Sequence, residues 1–205
     1  MEKNYKCFLF IVLVFLCTAC KTTGQFTGSA PLTVMIVDEN GMAVRDFKVT
    51  LSNFNNSENG ITNAGGMCTF NNIPAGQYEL AGQKSGYSSF EEQKISFTNR
   101  CDVFCFRVLS GNCIFEQAAS LLDSSNYQEG FDLLDKLVCE KKSAVYATVC
   151  FYKAWGYSTL NDQKSMNREL RKMKSASKEF AEKYSVAVEH LKTGVEKIKM
   201  EDESE

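Results

Sequence analysis

Three patterns of apolar and polar residues follow one another along the chain. Residues 7–17, CFLFIVLVFLC, are an unbroken apolar run. From Leu32 to about Leu109 apolar and polar residues alternate, with turn residues at short intervals. Period two with frequent turns predicts antiparallel strands. LTVMIVD (32–38) ends at the turn Glu39-Asn40-Gly41, and DFKVTLSN (46–53) sets Phe47, Val49 and Leu51 against Lys48, Thr50 and Ser52. A polar loop follows. GITNAGGMCTFNNI (60–73) places Gly65-Gly66 before a strand carrying Cys68 and Phe70, and PAGQYELAGQKSGY (74–87) reads as turn, strand and turn. KISF (94–97) and CDVFCFRVL (101–109) complete about seven strands, enough for two packed sheets.

At Gly111 the period changes to that of a helix. Ile114, Ala118, Leu121 and Leu122 form one apolar face, and Tyr127, Phe131, Leu134 and Leu137 a second, with the turn Ser124-Ser125-Asn126 between them. A weaker second unit repeats this 36 residues later: Ala154, Tyr157, Asn161-Asp162, Met166, Leu170 and Met173 stand where Ala118, Leu121, the turn, Gly130, Leu134 and Leu137 stood. Phe180, Tyr184, Ala187, Leu191, Val195 and Ile198 then form one stripe, which predicts a long capping helix with a solvated outer face. The expected plan is therefore α+β with two domains: 1–19 signal peptide, 20–31 tether, 32–110 β-sandwich, 111–200 helical repeats and 201–205 acidic tail.

The first run decides the compartment. Lys3 and Lys6 precede the eleven apolar residues, and small Thr18 and Ala19 follow them, the three-part pattern of a secretion signal. Eleven residues are too few for a spanning helix, which needs roughly 20. Cys17-Thr18-Ala19-Cys20 resembles a bacterial lipobox, with Cys17 in place of the usual leucine. That resemblance implies cleavage before Cys20, lipidation of Cys20, and a place on the bacterial cell membrane or outer membrane facing the periplasm or exterior. The alternative is an ordinary signal cut after Ala19, Gly24 or Ala30. KTTGQFTGSAP (21–31) reads as a flexible tether.

Removing residues 1–19 leaves 21 basic and 24 acidic residues, so no basic field recruits nucleic acid. Six cysteines then remain besides Cys20, at 68, 101, 105, 113, 139 and 150. Export favours disulfides. Cys139 at the end of the second helix and Cys150 about two turns into the third are the expected pair. Cys101, Cys105 and Cys113 lack a second close pair, and no metal or cofactor is expected. His190 sits among Glu189, Leu191 and Lys192 on a solvated helix, and no nucleophile elbow, phosphate loop or zinc-protease motif is present. The expectation is a protein that is not an enzyme.

The landmarks of the β region carry a more specific resemblance. Asp38 with Gly41, Thr62 with Gly66, then Phe70-Asn71-Asn72-Ile73-Pro74-Ala75-Gly76-Gln77-Tyr78 and Gly86-Tyr87 resemble the carboxypeptidase regulatory-like and PEGA-like modules. This implies a prealbumin-like sandwich, which serves as an accessory in the enzymes that carry it. The helical units look like tetratricopeptide repeats, usually 34 residues long. That resemblance implies a concave face formed by the inner helices, here about 113–123 and 145–160. Its candidate partner-binding residues are Glu116, Gln117, Ser120, Tyr152, Lys153 and Trp155, and its ligand a short peptide or single helix of a protein partner. The expected function is a membrane-anchored interaction or scaffold lipoprotein of the cell envelope. The alternative is carbohydrate or cell-wall binding by sandwich loops through Phe54, Tyr87 or Phe90.

Overall fold

The computed structural model describes residues 26–202, with the side chains of the last helix given as far as Thr193. The signal segment 1–19, the lipidation candidate Cys20 and the end of the acidic tail lie outside the described residues. Seven strands come first: β1 Ser29–Val37, β2 Lys48–Ser52, β3 Ser57–Ile61, β4 Met67–Pro74, β5 Gly76–Gln83, β6 Phe90–Phe97 and β7 Val103–Arg107. They form a three-stranded sheet, β4-β1-β7, and a four-stranded sheet, β3-β2-β5-β6. Alternation sends Leu32, Val34 and Ile36 from the first sheet, and Val49, Leu51 and Leu80 from the second, into one shared core. The first and last strands pair in parallel, Thr33 with Val103 through Val37 with Arg107.

Three departures from the expected strands have physical causes. β1 starts at Ser29, inside the expected tether, because Ser29 and Ala30 pair with Pro74 and Ile73. The register slips between Ala30 and Leu32, at Pro31, which has no N–H to give the ladder. β3 falls in the expected polar loop, since an edge strand with four of its five residues exposed shows no alternation. β6 begins at Phe90 because Glu91 through Lys94 are all exposed. Gly66 explains its own residue type: its φ is +72°, and a Cβ would lie 2.5 Å from the Ile36 carbonyl oxygen.

Six helices follow: α1 Gly111–Asp123, α2 Tyr127–Asp135, α3 Ala144–Thr159, α4 Gln163–Ala176, α5 Lys178–Lys183 and α6 Ser185–Asp202. α1 with α2 and α3 with α4 make two hairpins. Their turns are the same structure twice. Asn126 N donates to Leu121 O and Asp162 N to Tyr157 O, and Ser125 N donates to Leu122 O as Asn161 N does to Ser158 O. Ser125 and Asn161 both take positive φ, +65° and +55°. Every pair is 36 residues apart, so the repeat read from apolar residues recurs in the backbone. Gly130 lies at the first crossing, where a Cβ would meet Leu122 at 3.2 Å. Met166, its counterpart, is 1% exposed and fills the second. The expected long capping helix is broken at Tyr184, after a short α5 whose first turn is capped by the Ser177 hydroxyl.

Chain segments from both halves hydrogen-bond at the junction. α2 ends at Asp135 with Lys136 as its cap, and residues 136–138 leave the helix to pair with the sandwich: Gly86 N donates to Val138 O, Val138 N to Tyr87 O, and Ser89 N to Lys136 O. The expected Cys139–Cys150 disulfide is not seen. Cys139 is not on a helix; it packs beside Ile114, Ala118 and Leu134, whereas Cys150 points into the separate cluster of Met166, Leu170 and Met173. Both are free thiols, as are Cys68, Cys101, Cys105 and Cys113.

Ser110 caps α1, and both its amide and its hydroxyl donate to the Glu39 carboxylate from the turn after β1. The hydroxyl bond is the main cause holding the Glu39 carboxyl below its ordinary value, partial burial works the other way, and the Ser110 amide adds to the lowering. A depressed carboxyl stabilises the fold above its unfolded pKa and loses that contribution as pH falls through the folded value. The stability difference between wild type and Glu39→Gln is therefore expected to be full at pH 7 and to shrink below about pH 4.5. Denaturant titrations of both proteins from pH 7 to pH 3 check this; a difference independent of pH would remove the pair from the junction's energetics.

Candidate functional site

α1 and α3 lie side by side, and their aromatic residues form a connected row. Phe115 of α1 stacks on Tyr152 of α3 at 5.4 Å. Tyr152 meets Trp155 edge-on at 6.1 Å and Phe151 at 6.3 Å. Phe151 reaches Tyr184 at 5.9 Å, and Tyr184 stacks on Phe180 at 4.3 Å. All six rings are half-buried. The row therefore crosses from α1 over α3 to the α5–α6 turn, partly exposed, with Phe115 and Tyr152 packed against one helical core cluster and Phe151 and Phe180 against the other. The repeat explains its spacing: Phe115 and Phe151 occupy the same position in successive hairpins, 36 residues apart.

Of the residues named from sequence, Tyr152 and Trp155 lie in this row. Glu116, Gln117 and Ser120 are exposed on α1, but they lie about 100° or more around the helix from Phe115 and do not border the row. Lys153 is not free: its ammonium pairs with Asp135 of α2, and its side chain is 15% exposed. It clamps α3 to the first hairpin and leaves the row without a cation of its own from α3. Phe115, Phe151, Phe180 and Tyr184 were not expected at a site; the aromatic pair recurring at the repeat offset finds Phe115 and Phe151, and no such signal marks Phe180 and Tyr184.

The carbohydrate candidates separate. Phe90 stacks between Phe47 and Phe106, at 5.9 and 5.0 Å, inside the sandwich. Tyr87 is held in the junction by its backbone, with the Lys84 ammonium 5.4 Å from its ring. Both positions serve packing. Phe54 alone is fully exposed, at the tip of the β2–β3 hairpin. It borders an open groove of about 410 Å³ shared with Ser52, Asn53, Gln77, Tyr78, Glu79 and Lys94.

The titratable groups of the helical half are arranged for packing. Glu169 is 4% exposed and is held by Lys172 Nζ at 2.8 Å and Arg168 Nε at 3.2 Å. Burial, with Glu169 nearby as the next cause, pushes the Cys150 thiol up to about 11, so it stays protonated and unreactive at neutral pH. His190 is exposed. Among the described residues every buried side-chain nitrogen and oxygen has a hydrogen-bond partner. None of those described polar groups is left waiting for a ligand in the core.

No family model and no curated protein matches the chain. Among solved structures it is similar to the Bacillus anthracis TIE protein, with 22% identity, a TM-score of 0.37, and 41% of this chain covering 17% of that one. It is also similar to a candidate carbohydrate-binding protein of Bacteroides uniformis, with 16% identity, a TM-score of 0.36, and 40% of this chain covering 42% of that one. A third is the group B streptococcus pilus 2b backbone protein, with 17% identity, a TM-score of 0.35, and 40% covering 41%. The chain thus spans less than half the length of each.

Proposed function

We propose that this protein is a lipid-anchored interaction module of the bacterial cell envelope that captures a short peptide or a single helix of a partner protein along its aromatic row. The observation that carries this reading is the six-ring row. Large amphipathic rings dominate protein interfaces, and here four of the six sit half-exposed on α1 and α3, the helices that tetratricopeptide-like hairpins turn inward, with Phe180 and Tyr184 extending the row onto α5 and the turn after it. The recurrence at 36 residues in core positions, turn bonds and Phe115/Phe151 supports the tetratricopeptide-like reading. Asp38 accepting bonds from Asn40 N and Met42 N, just before Gly41, supports the carboxypeptidase regulatory-like one.

The anchor is Cys20 in this reading. Eight residues separate it from Ser29, where β1 begins, and they reach about 30 Å when fully extended. The sandwich then rides close to the bilayer and acts as spacer and clamp for the helical half. No described helix is long and apolar enough to cross a membrane.

The test uses the sole tryptophan as its reporter. Peptides selected from a random display library against the detergent-solubilised full chain are expected to shift the emission of Trp155 on binding. Binders that leave its emission and acrylamide quenching unchanged would place the binding surface elsewhere. A second reading, carbohydrate binding, rests on fully exposed Phe54 above its polar groove. A glycan-array signal lost in Phe54→Ala, with no peptide binder recovered, would favour it.

A further inference from the structure

The outer face of the three-stranded sheet carries a second feature that the interaction role does not use. Met35 is the register partner of Met67 on β4 and of Cys105 on β7. Directly opposed residues point to the same face of a sheet. Burial fixes which face this is: Val34 and Ile36 are fully buried, while Met67 is 44% exposed, Cys105 is exposed and Met35 is half-buried. Two thioethers and a thiol therefore stand in one row across three adjacent strands, at the surface. The same-face row two residues away shows that side chains meet across this sheet: Thr33 Oγ1 and Thr69 Oγ1 are 3.1 Å apart. The Met35–Met67 pair repeats that geometry one pleat further on.

We propose that Met67, Met35 and Cys105 form a binding site for a soft monovalent cation, Cu(I) by preference. Thiolate and thioether sulfur select Cu(I) over the harder divalent ions. The three register rows of this face, Thr69-Thr33-Val103, Met67-Met35-Cys105 and Val37-Arg107, contain no carboxylate and no histidine to favour other metals; Arg107 is the one charged group among them and is two residues from Cys105. The spacing fits. A metal–sulfur bond is roughly 2.3 Å long, so an ion shared by two sulfurs holds them up to about 4.6 Å apart, close to the ~4.8 Å between neighbouring strands. The ion sits between Met35 and Cys105, and the flexible three-torsion side chain of Met67 leans in from the other side. On binding, the Cys105 S–H bond breaks, its proton goes to solvent, and the thiolate bonds to the cation. The methionines donate neutral lone pairs and nothing is oxidised or reduced. The site is independent of the aromatic row and of the lipid anchor.

Ag(I), equal in charge and similarly soft, needs no reductant and serves as the probe in chloride-free buffer. In the full chain carrying ¹³C at the methionine ε-methyls, one equivalent of Ag(I) is expected to move the Met35 and Met67 resonances and leave Met42, 67% exposed on a nearby turn, where it was. Cys105→Ser and Met35→Leu should each weaken binding at least tenfold with little change in melting temperature, and Cys101→Ser should bind like the wild type. Stationary Met35 and Met67 signals, or an affinity that follows Cys101 rather than Cys105, would overturn the site.

Discussion

Phe131→Ala is expected to destabilise the helical half by ~3–5 kcal/mol, the range for deleting a large buried aromatic side chain. Phe131 is 7% exposed, its ring lies 4.6 Å from that of Tyr157, and it fills the contact between the first hairpin and α3. The informative partner is Gly156. A Cβ there would come 2.6 and 2.8 Å from two Phe131 ring carbons and 2.9 Å from Leu122 Cδ2. In the wild type, Gly156→Ala is therefore expected to cost ~1–3 kcal/mol through overpacking. In the Phe131→Ala background the added methyl enters the space the ring vacated. The remaining close contact, the flexible end of Leu122, can move into the same space, so the ordinary helix preference for alanine over glycine, about 1 kcal/mol, prevails. The sign of the Gly156→Ala effect should reverse. Denaturant unfolding read by Trp155, the sole tryptophan, isolates the helical half. If Gly156→Ala stabilises both backgrounds, the hairpins are not packed as described.

Cys20→Ala is expected to move the protein wholly from the detergent phase to the aqueous phase when cells expressing the full chain are extracted. Each buried methylene of an acyl chain contributes ~0.8 kcal/mol, so two or three chains make an anchor that does not exchange on the time scale of the extraction. In the proposed anchor the diacylglyceryl group is attached to the Cys20 sulfur, so removing the thiol should remove the attachment and make the effect nearly all or none. Mass spectrometry of the wild type should find Cys20 at the N-terminus with added acyl mass. An unmodified mature chain beginning at residue 25 or 31 would contradict the anchor and favour an ordinary secretion signal.

What was legible in the sequence follows from which residues carry a burial signal. β1, β2, β4 and β5 alternate because one face of each is core, so Leu32, Val34, Val49, Leu51, Phe70 and Leu80 mark them without ambiguity. β3 and the first half of β6 lie at the edges of the four-stranded sheet, where backbone pairing rather than side-chain burial holds the strand. Alternation is silent about such segments. The helices starting after Ser110, Ser143, Asp162 and Ser177 are each capped by that side chain, which accepts from the amide three residues on, a local signal distinct from the apolar periodicity that predicted them. The end of α2 was not readable, because residues 136–138 leave the helix to pair with 86–89 of the sandwich. No local pattern announces a pairing across about 50 residues. The same tertiary event sets Cys139 beside Ile114 and Leu134 while Cys150 lies in the Met166 cluster, an arrangement that helix spacing alone does not convey.

The candidate site was half readable. Tyr152 and Trp155 stand out as large rings on non-core positions of α3. Their continuation to Phe115 and through Phe151 to Tyr184 and Phe180 depends on how neighbouring helices set their faces together. Phe115 and Phe151 also share a repeat position, so the offset that reveals the hairpins also reveals the rings that line them.

The most direct measurement compares Trp155→Ala with the wild type in two assays on the same protein: unfolding of the helical half, and affinity for a selected peptide. Trp155 is half-buried and meets Tyr152 at its edge. A ligand-facing ring at a hot spot contributes at least ~2 kcal/mol to binding. The expected result is an affinity reduced by about thirtyfold, with a melting temperature within a few degrees of the wild type. A loss of ~3–5 kcal/mol in unfolding free energy, with the affinity of the remaining folded protein unchanged, would make Trp155 a packing residue and contradict the aromatic row as the binding surface.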